Sequence, residues 1–585
     1  MVVALLPERR LIASAGGRRP CASVVPVPGR HALAAATVFA RRIPIRSETR
    51  VPRIALLLGL QFLLLAGCGP RDAVPQATGG TSAIAVTAFG RYRPAAPSEG
   101  VLAFLGVPYA LPPVAALRWR EPVLPDHSNR LVAATAFGHT CRQALDEHEP
   151  ASATAQGENC LSLNVWTRRI DGPARPVMVW IHGGANVSGG TADPFYDGHN
   201  FVRDNDVVLV SINYRLGPFG FLDLSAIGDS SFARSRNLGL LDQLAALRWV
   251  RAHIAAFGGD TSNITVFGES AGGSAVMRLL AMPLARGLFD KAIIESGGPA
   301  NIRIRGVAPG TSVSSGLSLT RAFMAEAHAS DLAGLQGLPP DSVLAVATRV
   351  AHARGDALGV STWGARADNV VLPNDVFGDI RRGVSRGVKV LIGTNEDEML
   401  YFRLYDKDFA RTLMREYQQR STVMGRDMST VKAIADQFIA HSTDPMRYVD
   451  FAGEFWMRQP SILLAEGTSR NADTYMYLWT WDSKVPGMGA SHAIELPFVF
   501  GHLAGASVEN LTGPNPPAEL SRRIQAAWTA FATTGNPTAA GEQEWPRYDE
   551  RSRATMLLTD GPWQVINDPK REATALLRRM YEVGR

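Results

Sequence analysis

The sequence predicts an α/β fold built on a mainly parallel central sheet flanked by helices. Two features carry this expectation. Apolar runs of strand length recur as continuous rather than alternating hydrophobicity, the mark of strands covered on both faces. Helical patterns separate them, as the crossover connections of a parallel sheet require. The composition agrees: of 585 residues, 46% are hydrophobic and 19% charged, ordinary for a chain that buries a sizeable core.

The first feature in chain order is a basic leader. Residues 1–67 hold ten arginines and two glutamates, whereas the remainder holds 50 basic and 52 acidic residues. The formal charge of +6 therefore belongs to the leader, and nucleic-acid binding by the body loses its main support. Residues 1–50 are rich in Ala and Arg without periodicity, so translation is read as starting at Val51. VPRIALLLGLQFLLLAGC, residues 51–68, places Arg53 before an apolar run and ends in Ala66-Gly67-Cys68. It is too short and wrongly ended to span a bilayer, and reads as a secretory signal over 51–67. The ending LAGC resembles the lipobox of bacterial lipoproteins, which implies lipidation of Cys68 and an anchor in the cell envelope. Gly69, standing where Asp would direct retention, implies the outer membrane. Residues 68–85 are rich in Gly, Pro and Thr and suit a flexible tether, leaving 86–585 as the folded body. An exported chain with two cysteines in its body, Cys141 and Cys160, is expected to pair them. Closing such a loop stabilises by about 3 kcal/mol in the chain-entropy model.

Strands are expected at VMVWI (177–181), VVLVSINY (207–214), ITVFG (264–268), KAIIES (291–296), VKVLIG (388–393) and TYMYLW (474–479). A helix is expected over 238–257, and helical insertions forming a cap over 300–365 and 400–470. No internal repeat interrupts this pattern.

FGESAGG, residues 267–273, sets Ser270 between Gly268 and Gly272, after a strand candidate and before a helix-compatible stretch. A serine held on such a strand-to-helix turn projects Oγ into the open, and flanking glycines remove side chains that would collide there. The helix N-terminus beside it favours developing negative charge. The strand at 177–181 runs into HGGAN (182–186), whose glycines let backbone N–H groups approach a substrate. The oxyanion donors are expected to be the N–H groups of Gly184, Ala185 and Ala271; His182 is read as holding the loop. A serine nucleophile also needs a base and an acid that orients it. TNEDEML after the strand at 388–393 offers Glu396, Asp397 and Glu398 at the carboxyl edge of the sheet. Among the later histidines His441, His492 and His502, His492 is favoured by its loop of small neighbours, VPGMGASHAIE.

These motifs, with EGVLAFLGVPYALPPVAALRW (99–119), GENCLSLNVW (157–166), the helix leading into FGESAGGSAV, FATTGNPT (531–538) and WPRYD (545–549), resemble the type-B carboxylesterase family, which includes the cholinesterases. The resemblance spans about residues 85–580. It implies an α/β-hydrolase fold, a Cys141–Cys160 disulfide, Ser270 as nucleophile, Glu398 as acid, His492 as base, and Glu269 as a residue that tunes the site. It implies carboxylic-ester hydrolysis through an acyl-enzyme with no metal or organic cofactor. The Cys141–Cys160 loop departs from the cholinesterase pattern: it holds no Phe, Tyr or Trp, so the cation-binding tryptophan of those enzymes has no counterpart. Lactone, thioester or carbamate hydrolysis would use the same chemistry, and a non-catalytic adhesion protein the same fold. Trp363, Phe402 and Met488 are candidate walls of the substrate pocket.

Overall fold

The computed structural model describes residues 83–144, 154–298, 313–354, 362–423 and 426–581. The leader, the signal segment, Cys68 and most of the tether lie outside the described residues. A ten-stranded sheet organises the body. In chain order its strands are β1 (Leu102–Pro108), β2 (Ser162–Thr167), β3 (Arg175–Ile181), β4 (Val208–Ile212), β5 (Gly259–Glu269), β6 (Lys291–Glu295), β7 (Lys389–Asn395), β8 (Thr474–Trp479), β9 (Ala554–Leu558) and β10 (Gln564–Asn567). Across the sheet they run β10-β9-β8-β7-β6-β5-β3-β4-β2-β1. From β4 to β9 every neighbouring pair is parallel. Antiparallel pairing is confined to the two edges.

The continuous apolar runs have the expected cause. Every residue of β4, β6 and β8 is buried. Along β3, Val177, Val179 and Ile181 enter one apolar cluster while Met178 and Trp180 enter another, so alternate side chains serve opposite faces. Each such fully buried side chain contributes about 1.5–3 kcal/mol. Three helices matter most for the site: α1 (Leu238–His253), α2 (Ala271–Ala281) and α3 (Ala518–Thr534). On α3, Leu520, Ile524, Ala527, Trp528 and Phe531 recur at helical spacing and pack into the second cluster.

Several boundaries differ from the sequence expectation. β5 starts at Gly259, ahead of the apolar run, and its register with β3 shifts between Gly259 and Ile264. The helix expected over 238–257 is α-helical only to His253; a 3-10 turn follows and ends on Gly258 at φ 79°. β1, β2, β9 and β10 were not distinguished as strands by hydrophobic run alone; all four take part in antiparallel pairs, and β10 has only partly buried or exposed residues. The two insertions are helical, with Val313–Glu326 and Pro340–Ala353 in the first and Phe409–Arg420, Lys432–Ile439, Met446–Gly453 and Gln459–Thr468 in the second. Cys141 and Cys160 form the disulfide. Beside it, Arg118 and Glu158 form a buried two-pronged ion pair, with Nε–Oε1 and Nη2–Oε2 both at 2.6 Å. No helix among the described residues is long and apolar enough to cross a membrane.

Candidate active site

β5 ends at Glu269, and α2 begins at Ala271, so Ser270 is the corner itself, at φ 56° and ψ −118°. A left-handed φ is costly for a side chain with a Cβ, and it persists here because neighbours fix the turn. The Ser270 N–H donates to Glu295 O at 2.9 Å, and Ser270 O accepts from Ser274 N–H at 2.8 Å. The glycines around it are demanded by close backbone approach. A Cβ on Gly272 would be driven into the carbonyl oxygen of Ile181, and one on Gly268 would lie 2.6 Å from that same oxygen. One on Gly273 would lie 2.7 Å from Glu295 O. The elbow is therefore wedged between β3 and β6.

The loop after β3 lies against this corner: a Cβ on Gly183 would stand 3.3 Å from Ser270 Cβ. Gly184, Ala185 and Asn186 follow with φ of 94°, 54° and 64°, three successive left-handed residues. Gly184 O accepts from Val187 and Ser188 N–H, and Asn186 O from Gly217 N–H, which closes the loop. Among the described residues no hydrogen bond uses the N–H groups of Gly184, Ala185 or Ala271. His182 holds this loop. Its Nδ1–H donates to Gly183 O at 2.9 Å, its ring stacks on Tyr214 with centroids 4.4 Å apart, and Tyr214 Oη donates to His182 O. Burial lowers its pKa to about 4, which keeps it neutral.

Glu398 and His492 come together across a sequence separation of 94. His492 Nδ1–H donates to Glu398 Oε2 at 2.6 Å, and both side chains are buried. Glu398 Oε1 accepts from the N–H of Asn395, the last residue of β7. The neighbours among which the sequence could not choose have other places. Glu396 is exposed near Lys570, and Asp397 accepts from Ala490 N–H. His441 is exposed, and His502 Nε2–H donates to Asp197 O.

The expected Ser270–His492 contact is not made: among the described residues no hydrogen bond joins Ser270 Oγ to the imidazole. His492 Nε2 instead lies 3.0 Å from Glu269 Oε1. Burial alone would lower the His492 pKa, but Glu269 and Glu398 on its two faces hold it well above the ordinary value. Glu398 is hydrogen-bonded to the ring, whereas the approach of Glu269 is an ionic contact: its Oε1 has no hydrogen-bond partner among the described residues.

Of the three candidate wall residues, Phe402 lies beside the base, its ring 6.3 Å from His492. Trp363 packs against Phe323 in the first cluster, and Met488 is buried in the second. Tyr401, at 5.9 Å from the imidazole, was missed by sequence reading, as were Asn395, Glu295 and Glu495. Tyr401 follows Glu398 by three positions in one 3-10 turn, a spacing that could have found it.

A parallel sheet with a strained serine at a strand-to-helix corner, and a buried His–Glu pair delivered from later loops, defines an α/β-hydrolase. The chain belongs to the carboxylesterase family, whose model matches residues 87–577, and it is a carboxylic ester hydrolase. It is 36% identical over 500 residues to the para-nitrobenzyl esterase of Bacillus subtilis strain 168, covering 84% of this chain and 98% of that protein. It is 32% identical to a fumonisin B1 esterase of Sphingopyxis macrogoltabida, covering 77% and 82% respectively. A solved thermophilic para-nitrobenzyl esterase superposes with a TM-score of 0.74 at 35% identity, covering 85% of this chain and all of that one.

Proposed function

We propose that residues 86–585 hydrolyse carboxylic esters by a serine acyl-enzyme mechanism with Ser270 as nucleophile, His492 as base and Glu398 as its orienting acid. The observation that carries this is the 2.6 Å Nδ1–Oε2 bond, which fixes the tautomer that leaves Nε2 as the working nitrogen. In the resting arrangement a protonated Nε2 faces Glu269. Once the imidazole loses that proton its attraction to Glu269 is gone, and a turn of the ring about its Glu398 bond brings Nε2 to Ser270 Oγ. His492 then takes the Ser270 proton as Oγ attacks the ester carbonyl. The developing oxyanion is received by the N–H groups of Gly184, Ala185 and Ala271, each worth about 10²–10³ in rate. His492 returns its proton to the leaving alcohol, and water resolves the acyl-enzyme by the same route. The name of the Bacillus subtilis relative supports para-nitrobenzyl esters as substrates.

Ser270→Ala is expected to lower turnover of short p-nitrophenyl esters by at least about 10⁴-fold and to abolish labelling by a fluorophosphonate probe. Turnover kept by a folded Ser270→Ala protein would refute the assignment. The reading also places the enzyme in the cell envelope through a lipid on Cys68, supported by the LAGC ending of the apolar run. Mass spectrometry of the mature N-terminus tests it: an unmodified N-terminus, or one at another residue, removes the anchor.

A further inference from the structure

Four carboxyl groups share one buried volume at the carboxyl edge of the sheet: Glu269, Glu295, Glu398 and Glu495 are each no more than 3% exposed. The mechanism uses two of them. The groups facing the other two are Glu269 from β5, Glu398 from the turn after β7, Tyr477 from β8 and Trp528 from α3, with His492 beside them. His492 is the sole cation of this set. Among the described residues no group of three or more His, Cys, Asp or Glu side chains is arranged to hold a metal ion.

We propose that Glu495, backed by Glu295, is a positioning residue that works as an uncharged acid, and that its ionisation loosens the Glu398–His492 pair at alkaline pH. The inference rests on His492 being the base. Its geometric ground is a chain of hydrogen bonds. Asn395 Nδ2–H donates to Glu495 Oε2 at 2.5 Å and to Ser491 O at 2.8 Å, while the Asn395 backbone N–H holds Glu398 Oε1 at 2.8 Å. Glu495 thus sets Asn395, and Asn395 ties the acid to the residue preceding His492. Glu295 closes the other side. Its carbonyl accepts the Ser270 N–H, and its Oε1 accepts from Trp528 Nε1–H at 2.9 Å.

The second oxygen of each acid, Glu295 Oε2 and Glu495 Oε1, has no donor pointing at it. An ionised carboxylate left so in a buried site carries a much larger desolvation cost than a protonated carboxyl does. The titration agrees: burial, then Glu495, push Glu295 well up, and burial, then Glu269, push Glu495 to about 8. With both neutral, the anions of Glu269 and Glu398 are balanced in part by His492. Ionising Glu495 adds a like charge facing both, and its repulsion of Glu398 strains the pair even though the Asn395 bond itself favours the charged form.

The test is the pH dependence of kcat and kcat/KM for wild type, Glu495→Gln and Glu495→Ala, with fluorophosphonate labelling of each and Ser270→Ala as control. In wild type kcat should fall above about pH 8. Glu495→Gln should lose that alkaline fall while its acid limb stays in place, because no charge has been removed. Glu495→Ala should lose about tenfold or more in kcat with little change in KM, as misplacement of the pair predicts, and Gln should restore it. An acid limb moved to lower pH in Glu495→Gln would show that an anion was removed, and an unchanged alkaline limb would deny it any part there; either overturns the inference. Should the variants not fold, the infrared spectrum of wild type decides: a buried protonated-carboxyl band present at neutral pH that loses part of its intensity above about pH 8, Glu295 keeping the rest, supports it, and a band absent at neutral pH or unchanged through that range overturns it. If Ser270→Ala keeps its turnover, the catalytic reading fails, while the infrared band still reports the charge of the acid.

Discussion

Ser270 and Glu269 are neighbours in sequence with opposite demands on one imidazole. The backbone at Ser270 is held left-handed at φ 56°, which throws its side chain out of the strand direction and leaves the preceding carboxylate turned toward His492. The serine needs a neutral Nε2, and the glutamate favours a charged one. Glu269 therefore sets the pH at which the base becomes available. Glu269→Gln removes one of the two anions that hold the His492 pKa up, so the imidazolium is less stable and gives up its proton at lower pH. The acid limb of kcat/KM should move to lower pH, measured with a short p-nitrophenyl ester. A limb at the wild-type position would mean that Glu269 carries no charge facing the ring. Which carboxylate would pair with His492 was legible only through family resemblance, since Glu396, Asp397 and Glu398 are consecutive and equally suited to a strand end. A single 3-10 turn decides among them by burying Glu398 and leaving Glu396 exposed.

At the scale of elements, the corner works because three pieces of backbone come nearer than side chains allow. β3, β5 and the start of α2 meet at Ile181, Gly268 and Gly272, and the carbonyl oxygen of Ile181 occupies the space of both missing Cβ atoms. Gly272→Ala should thus cost more than its helix propensity suggests, since alanine ordinarily favours a helix interior. Forcing a methyl against fixed backbone costs about 1–3 kcal/mol in stability, and here it also displaces the Ser270 turn. A lowered midpoint in denaturant with a falling kcat at the same time is expected; unchanged stability would mean that β3 and α2 separate freely. The pattern GxSxG was visible in the sequence, but its reason was not, because Ile181 lies almost ninety residues earlier. The same holds for β1, β2, β9 and β10. Hydrophobic runs identify strands buried on both faces, and edge strands such as β10 offer no such run.

The molecule buries four carboxyl groups at its catalytic edge, and stability is given up there. The central parallel strands were readable because each carries a continuous apolar run, whereas the polar groups beneath His492 were not, since isolated glutamates at 295 and 495 carry no pattern. Their consequence is a pH dependence of folding. A carboxyl raised from 4.5 to about 8 binds its proton more tightly in the folded state than in the unfolded one. Between these values the unfolded chain has released a proton that the folded chain still holds, so stability falls as pH rises and levels off above about 8. A shift of this size corresponds to about 5 kcal/mol lost across the window. His492 acts in the same sense: with its pKa raised, its contribution is fully present below 6.5 and lost as pH rises through the folded value. Glu495→Gln removes the carboxyl term but keeps a group able to bond Asn395. Glu495→Gln should therefore match wild type in stability near pH 4.5 and exceed it increasingly toward pH 8, with a constant gap beyond. Denaturant midpoints measured across that range decide the matter, because a gap independent of pH would mean that Glu495 has the same proton affinity folded and unfolded.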